Sequence, residues 1–416
     1  MRSPTATKFL FSAALVAVVL FVLVNFALHL SGLGAQRTLN RDTIGDRDAA
    51  LKSGRVASWW FSHAYLNETP SPDVVLFGSS QLGGLQAADA KFLRTPQDYV
   101  LDHKCVSVEK HLRDLNLFAN CFSIGIVGSM MSDHFMISKV LFTPQNSPKI
   151  MVVTISPRDF IDGYLSSVTS TEVFRWFSPY LPNSVIGEDF LSDPVEKVTW
   201  FTTSGIPLRK AFRNTHSELD SAELTFQESN DAWHRVEQDP LLNTTRDSLT
   251  NLRPGQCIVS PEMQEFFLDN SNDYKKRYSK PSGAMYEHQL ECFNKMLAEA
   301  KTRGINVLVV GMPLDCTNWE LLPDSFWNDY RNRVQAACAN SAATFMDLSH
   351  DAEFGRGDFV DGVHLSARGG WKVAGRIARV IATTPKLASS LKSTEHNGTA
   401  SVLADRLDNT KTSLTY

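Results

Sequence analysis

The sequence predicts an α/β protein in which a parallel sheet is covered by helices on both faces. Short apolar, β-branched runs alternate with helical patterns, which is typical of such a sheet. The 416 residues suffice for one large domain or two ordinary ones. Hydrophobic residues make up 43% and charged residues 21% of the chain, as in a globular protein with a sizeable buried core.

The first 30 residues differ from the rest of the chain. From Phe9 to Leu30 there is no Asp, Glu, Lys or Arg, and a helix of this length spans about 33 Å, enough to cross a bilayer. Arg2 and Lys8 precede it without an acidic residue. The positive-inside rule then places the amino terminus in the cytoplasm and the main domain outside it. A cleaved signal peptide is the alternative, but its apolar region is usually only about 7–15 residues long, so we favour an uncleaved single-pass anchor.

The segment 31–72 has mixed charge and is predicted to be a partly helical juxtamembrane region. Its Trp59 and Trp60 could rest on the membrane interface, although packing on the domain is the favoured interpretation. Five buried strands then follow: Asp73–Phe77, Cys121–Gly125, Ile150–Ser156, Asn306–Met312 and Thr344–Leu348. Helical patterns lie between and after them: Ser107–Phe118, Ser132–Phe142, Tyr286–Arg303, Phe326–Ala339 and Ala367–Ala382.

One interval of the main domain, 73–385, breaks the alternation of strands and helices. From about 162 to 283 no clean period is present, and the interval is too long for a plain loop. It is predicted to be an inserted subdomain or a lid over the carboxyl edge of the sheet. Its aromatic residues, Trp200, Trp233 and Tyr274 among them, form either its own core, which is favoured, or a surface that stacks on sugar rings. The last segment, 386–416, is rich in Ser, Thr, Asn and Asp and is predicted to be a mobile tail.

Charge and cysteine content exclude several classes of function. A net charge of −4 and a pI of about 6.3 give no electrostatic basis for binding nucleic acid. The six cysteines are compatible with disulfides in an oxidising compartment or with buried free thiols. Since no C-x-x-C pair occurs, a zinc site is not expected. We expect no metal and no cofactor.

Small and polar residues follow the first two strands, where a parallel sheet forms its sites. The first strand ends in Gly78-Ser79-Ser80. Ser80 is a candidate nucleophile at a helix amino terminus, and a helix-capping serine is the alternative. The second strand leads into "SIGIVG", where the N–H group of Gly125 could face an oxyanion. An ordinary turn glycine is the alternative at Gly125.

The third strand and the last helix supply further candidates. Arg158 follows the third strand and is either a charge-assisted donor or half of a loop ion pair with Asp159. Asp361 and His364 lie three residues apart, just before the last predicted helix. This spacing lets the carboxylate hold the imidazole while the other ring nitrogen faces a serine, and a surface turn is the alternative.

Together these blocks resemble the SGNH (GDSL-type) hydrolase superfamily. Gly78-Ser79-Ser80 matches G-D-S, "SIGIVG" matches N-x-G-x-x-G, "SPRD" matches G-x-N-D, and "DGVH" matches D-x-x-H. The match covers roughly 73–156 and 286–382. It departs from the family pattern at Ser79, Ser123 and Arg158, which replace an Asp, an Asn and the oxyanion Asn. The opening block, the anchor and the insertion look like the membrane-anchored branch, which includes DltD-like D-alanine transfer and exopolysaccharide O-acetylation proteins. The combination of the PRDF and DGVH motifs looks most like a bacterial family of anchored SGNH-like proteins.

This resemblance implies a three-layer, flavodoxin-like parallel sheet and a serine triad. Ser80 would be the nucleophile, His364 the base and Asp361 its partner, while the N–H groups of Ser80 and Gly125, with Arg158, would hold the oxyanion. The expected activity is that of an extracytoplasmic, membrane-anchored esterase or O-acyltransferase. Its expected substrate is an acyl ester of an envelope or exported glycan, or another ester, and a membrane-bound acyltransferase is a candidate partner.

A non-catalytic protein of the same fold is the alternative from another functional class. Such a protein would bind an envelope polymer or a membrane acyltransferase. The replacement of the Asp and the Asn of the motifs favours this non-catalytic alternative. The presence of Ser80, Asp361 and His364 together favours an enzyme, because a binding module has no need of that set. A plain secreted lipase is disfavoured because Ser80 is followed by Gln81-Leu82 and not by the second glycine of G-x-S-x-G.

Overall fold

A computed structural model describes residues 15–16, 19–21, 23–24, 38–53, 55–164, 167–204, 252–279 and 282–392. The strands are β1 (Val74–Gly78), β2 (Gln97–Asp98), β3 (Cys121–Gly125), β4 (Ile150–Ile155), β5 (Ile258–Val259), β6 (Asn306–Gly311) and β7 (Thr344–Asp347). The helices are α1 (Arg47–Ser53), α2 (Ala57–Asn67), α3 (Gly83–Leu93), α4 (Val106–Asp114), α5 (Met131–Leu141), α6 (Arg158–Ile161), α7 (Glu172–Phe177), α8 (Asn183–Val185), α9 (Pro194–Ser204), α10 (Ser271–Tyr278), α11 (Gly283–Thr302), α12 (Cys316–Trp319), α13 (Asp324–Ser341), α14 (Ala367–Thr383) and α15 (Pro385–Lys392). Single 3₁₀ turns lie at Ser80–Leu82, Val168–Ser170, Ser178–Tyr180 and Arg356–Asp358, and a π turn lies at Ile186–Phe190.

The central sheet has five strands in the order β3-β1-β4-β6-β7, and all neighbours run parallel. Counted along the chain, this order is 2-1-3-4-5, so the strand order reverses at β1. The five predicted strands are therefore confirmed, each to within one residue at either end. The sequence did not predict the short antiparallel pair of β2 and β5, because two-residue strands carry no readable period.

The two faces of the sheet are buried under two separate apolar layers. Along β1, Val75 and Phe77 join one layer, and Val74 and Leu76 join the other, as the twofold alternation of a strand requires. Helices α5, α11 and α13 cover the first face, and α3, α4 and α14 cover the second. The prediction of a parallel sheet covered on both faces is confirmed.

The core extends beyond both predicted ends of the main domain. On the amino-terminal side, Trp59 and Trp60 of α2 are only 2% and 3% exposed, so these rings pack on the domain, as favoured above. At the other end, α15 occupies the first residues assigned to the tail. The prediction of a tail from residue 386 is wrong over these residues because Leu387 and Leu391, one helical turn apart, are buried against the second layer. Residues 393–416 lie outside the described part of the chain.

The described parts of the insertion pack on the main core. Val173, Phe174 and Phe177 of α7 and Phe190 of the π turn belong to the layer that covers the first face. Tyr274 is also buried in this layer. These buried rings follow the favoured interpretation of the insertion's aromatic residues as core. Trp233 and the rest of 205–251 lie outside the described residues.

The predicted membrane anchor, residues 9–30, lies largely outside the described part of the chain. Only short helical pieces at 15–16, 19–21 and 23–24 are described there. Within the described residues, no helix combines the length and the apolar character that a bilayer crossing requires. None of the six cysteines forms a disulfide, and only Cys316 is exposed.

A buried carboxyl group lies where α2 meets the insertion. Glu172, at the first turn of α7, accepts the backbone N–H of Ser58 in α2 at 2.7 Å. Burial raises the pKa of Glu172 to about 7, although Ser58 and Arg175 act to lower it and Asp133 adds to the increase. This raised pKa stabilises the fold fully below the ordinary pKa of 4.5, and the contribution is lost as the pH rises to about 7.

Replacing Glu172 with Gln is expected to stabilise the protein at pH 8 by roughly 1–3 kcal/mol, because the neutral amide escapes the cost of burying a charge. At pH 4.5 the substitution should have little effect, since the wild-type carboxyl is then largely protonated. Urea unfolding at both pH values measures this. Glu320→Gln, at an exposed position, is the control and should change neither value. An equal effect of Glu172→Gln at both pH values would contradict the prediction.

Candidate active site

Three predicted site residues form a continuous chain of hydrogen bonds. Ser80 Oγ lies 2.7 Å from His364 Nε2, and His364 Nδ1 lies 2.6 Å from Asp361 Oδ2. Asp361 is fully buried and His364 is 8% exposed, while Ser80 is partly exposed. The expected contact between Ser80 and His364 is therefore confirmed, and the chain of bonds is open to a substrate only at its serine end.

The Asp361 carboxylate is held by its own turn. Its Oδ1 accepts the backbone N–H groups of Val363 and His364, both at 2.7 Å. Burial alone raises the pKa of Asp361, but the adjacent His364 and these two N–H groups outweigh burial and hold the pKa below its ordinary value. An ionised Asp361 favours the tautomer with a proton on His364 Nδ1, so the lone pair of Nε2 faces Ser80. Asp361 and His364 thus form a buried turn and not the alternative surface turn.

Ser80 lies at the junction between β1 and α3. It opens the 3₁₀ turn Ser80–Leu82, and Ser79 before it is extended and makes no side-chain capping bond. The Ser80 hydroxyl contacts His364, so the structure does not adopt the alternative of a helix-capping serine. The first N–H groups of a helix have no intrahelical acceptor, so this turn can direct donors at a negatively charged oxygen.

Close packing of α3 against α14 brings the two halves of the site together. A Cβ atom at Gly84 would lie 2.5 Å from the Cβ atom of Leu365, the residue after His364. A Cβ atom at Gly370 would overlap the carbonyl oxygen of Gly84. Gln81 adds a weak hydrogen bond of 3.4 Å from its side chain to the carbonyl of Val363. Glycine at both contacts therefore lets the serine turn approach the histidine turn.

Gly125 ends β3 directly opposite Gly78. The N–H of Ile126 donates to the carbonyl of Gly78, whereas the N–H of Ser123 donates outward to the carbonyl of His103. Alternate residues of a parallel strand direct their N–H groups to opposite sides, so the N–H of Gly125 points to the outer edge of the sheet. An oxyanion role for this N–H group requires a substrate that reaches that edge.

The ring of Tyr99 gives a separate reason for glycine at position 125. A Cβ atom there would lie 2.9 Å from Tyr99 Cζ and would overlap the Tyr99 hydroxyl. That hydroxyl donates to the carbonyl of Ser79 at 3.3 Å. Tyr99 thus packs between the ends of β1 and β3, and the sequence did not single it out because it follows no motif.

Arg158 joins the segments that follow β3 and β4. It follows β4, and its Nη1 donates to the carbonyl of Ser129 in the loop after β3 at 2.7 Å. In the sheet, β1 lies between β3 and β4. Arg158 Nη2 also lies 3.4 Å from an ideal Cβ atom at Gly128, whose φ is +76°. The guanidinium therefore links the segments that follow the two neighbours of β1.

Carboxylates hold the Arg158 guanidinium in place. Arg158 Nη2 lies 3.0 Å from Asp162, and Nη1 lies 3.3 Å from Asp159. The contact with Asp159 is the ion pair that the sequence predicts as one alternative for Arg158. Burial acts to lower the pKa of Arg158, but Asp162 and Asp159 raise it above its ordinary value. Arg277 of α10 pairs with Asp162 at 2.8 Å and so joins the insertion to this cluster. The contact between Arg277 and Asp162 could not be predicted from the sequence, because 115 positions separate the two residues.

A second serine–histidine pair is present but lacks a carboxylate. Ser129 Oγ lies 3.0 Å from His134 Nε2, and both residues are at most 2% exposed. His134 Nδ1 is buried without a hydrogen-bond partner, and burial followed by the charge of Arg158 lowers the pKa of His134 to about 3. This pair cannot be reached by a substrate, so Ser80 is the candidate nucleophile.

Within the described residues, no group of three His, Cys, Asp or Glu side chains is arranged to hold a metal ion.

Comparison of the whole chain with models of protein families finds no match, and comparison with curated protein sequences finds none either.

Gly370→Ala should destabilise the protein by about 1–3 kcal/mol, because the new methyl group overlaps the backbone of α3. Gly283→Ala in α11 is the matched control, since no atom lies within 4 Å of its ideal Cβ position. Urea unfolding measures both variants. Similar stabilities for the two variants would show that the contact between α3 and α14 tolerates a methyl group.

Gly125→Ala is expected to lose stability because of Tyr99. In a double-mutant cycle with Tyr99→Leu, the loss of stability in the double variant should be smaller than the sum of the losses in the two single variants by at least about 1 kcal/mol. The reason is that the shorter side chain of Tyr99→Leu makes room for the methyl group. Additive losses in urea unfolding would mean that Tyr99 is not the constraint on Gly125.

Proposed function

We propose that this protein is a membrane-anchored, extracytoplasmic serine esterase or O-acyltransferase of the SGNH type. The observation that carries the proposal is the chain of bonds from Ser80 through His364 to the buried Asp361. The strand order 2-1-3-4-5 supports the flavodoxin-like fold implied by the sequence motifs. The serine turn follows β1, where the strand order reverses and doubly wound sheets bind their ligands.

In the proposed mechanism, the Ser80 oxygen attacks the carbonyl carbon of an acyl ester while His364 Nε2 takes the hydroxyl proton. The imidazolium that forms is stabilised by Asp361. Collapse of the tetrahedral intermediate breaks the ester bond, and His364 donates the proton to the departing alkoxide oxygen. Water or an acceptor hydroxyl then attacks the acyl-Ser80 ester, with His364 again acting as the base. Attack by water makes the protein an esterase, and attack by a sugar hydroxyl makes it a transferase.

The oxyanion would form beside the backbone N–H of Ser80, with Arg158 as a charged donor and Gly125 as the further predicted donor. The ion pairs with Asp159 and Asp162 fix the orientation of Arg158 before the substrate arrives, which makes such a donor effective. A donor of this kind typically contributes about 3–4 kcal/mol to the stability of the transition state. Arg158 would thus serve in place of the asparagine that the family pattern has at this position.

The proposed substrate class and cellular location rest on the amino-terminal sequence. An apolar segment at 9–30, preceded by basic residues, supports a single-pass anchor with the main domain outside the cytoplasm. An acyl ester on an envelope or exported glycan is the substrate most compatible with that location. A membrane-bound acyltransferase is the proposed partner if the acyl group is passed across the bilayer.

A non-catalytic scaffold is the second candidate function. It is favoured by the outward direction of the Gly125 N–H and by the engagement of Arg158 in ion pairs, both of which leave fewer donors for an oxyanion. It does not account for the hydrogen bonds that direct a fully buried Asp361 at His364 and His364 at Ser80.

Labelling of the full-length protein with a fluorophosphonate probe tests the proposal. The probe should modify Ser80 of the wild type, and peptide mapping should place the adduct there and not on Ser129. Ser80→Ala and His364→Ala should lose the labelling, and Asp361→Asn should slow it by roughly 10³–10⁴-fold because the imidazole then adopts the wrong tautomer. Ser389→Ala, at an exposed position of α15, is the control. A folded wild type that does not react would favour the scaffold.

A further inference from the structure

A segment of the insertion is hydrogen-bonded to the turn that carries Asp361 and His364. This segment, residues 265–270, lies just before α10 in the chain and is called the strap. The N–H of Leu268 donates to the carbonyl of Val360 at 2.7 Å. Glu265 accepts the N–H of Ala367 at 2.6 Å, so the strap holds the chain on both sides of the Asp361–His364 turn.

Asn270 contacts the peptide that follows Asp361. Its side-chain Oδ1 accepts the N–H of Gly362 at 3.1 Å. The carbonyl of Gly362 in turn accepts the N–H of Asp315, also at 3.1 Å. Both backbone polar groups of Gly362 are therefore bonded from outside the turn. An ideal Cβ atom at Gly362 would lie 3.0 Å from Asn270 Oδ1 and 3.1 Å from Thr317 Oγ1, so a larger residue would have to displace these side chains slightly.

We propose that Asn270 is a positioning residue for the proposed Ser80–His364–Asp361 triad. The inference rests on the proposed function and adds a residue from the insertion that no motif contains. Asn270 acts through the Asp361–Gly362 peptide, whose N–H it holds. It therefore does not touch the substrate or the reacting atoms.

The geometry of the turn explains why the position of this peptide matters. Asp361 uses Oδ1 for the N–H groups of Val363 and His364 and Oδ2 for His364 Nδ1. All three bonds depend on the direction in which the Asp361 side chain leaves the backbone. Rotation of the Asp361–Gly362 peptide would turn that side chain away from the imidazole. A displacement of about 1 Å in such a group can cost 10²-fold in rate.

Fluorophosphonate labelling of the full-length chain across pH 5–9 tests this role. Asn270→Ala should lower the plateau rate at Ser80 by about 10- to 100-fold. Asn270→Asp keeps an acceptor oxygen for Gly362, so it should recover most of the plateau rate. Its added negative charge near the triad should shift the midpoint of the pH profile upward. Asn294→Ala is the matched control, because its side chain donates to the carbonyl of Leu290 within α11.

A second readout does not depend on any reaction. The proton between His364 Nδ1 and Asp361 should give a far-downfield NMR signal in the wild type and in Asn294→Ala. This signal should disappear or broaden in Asn270→Ala while the remaining spectrum stays folded. An unchanged signal and an unchanged labelling rate in Asn270→Ala would overturn the role of Asn270 alone. A wild type that shows the signal but does not react would count against the proposed function, and loss of the signal in Asn270→Ala would still support the positioning role.

Discussion

The close approach of α3 and α14 is the constraint on which the candidate site depends. Ser80 and His364 lie 284 positions apart in the chain and meet at 2.7 Å. Each belongs to a turn just before one of these helices, so the helix contact sets the distance between them. Glycine at positions 84 and 370 allows that contact, because a side chain at either would occupy space filled by the other helix or by Leu365.

Buried charge imposes the second constraint. Arg158 is 7% exposed and Asp159 is fully buried, and isolated charges at such depth would be prohibitively costly. Asp162 and Arg277 complete a cluster in which each charge has a partner. The cluster joins the segment after β4, the loop after β3 and the insertion, so the charges that hold Arg158 in place also hold these segments together.

The insertion is part of the domain in its described portions. Its rings fill the layer over one face of the sheet, and its strap holds the turn that carries Asp361 and His364. The support of the Asp361–His364 turn therefore comes in part from the insertion.

The sequence by itself determined the five strands and the local turns, because apolar alternation and short motifs act over a few residues. Asp361 and His364 are three positions apart, so their contact could be predicted from spacing, and the rule that parallel strands share a carboxyl edge placed Ser80 near them. Only the tertiary structure decided the strand order, the packing of Tyr99 against Gly125, the ion pair of Arg277 with Asp162 and the bond of Asn270 to Gly362. These contacts join residues that are far apart in the chain, and whether they meet depends on how every layer packs, which no local pattern records.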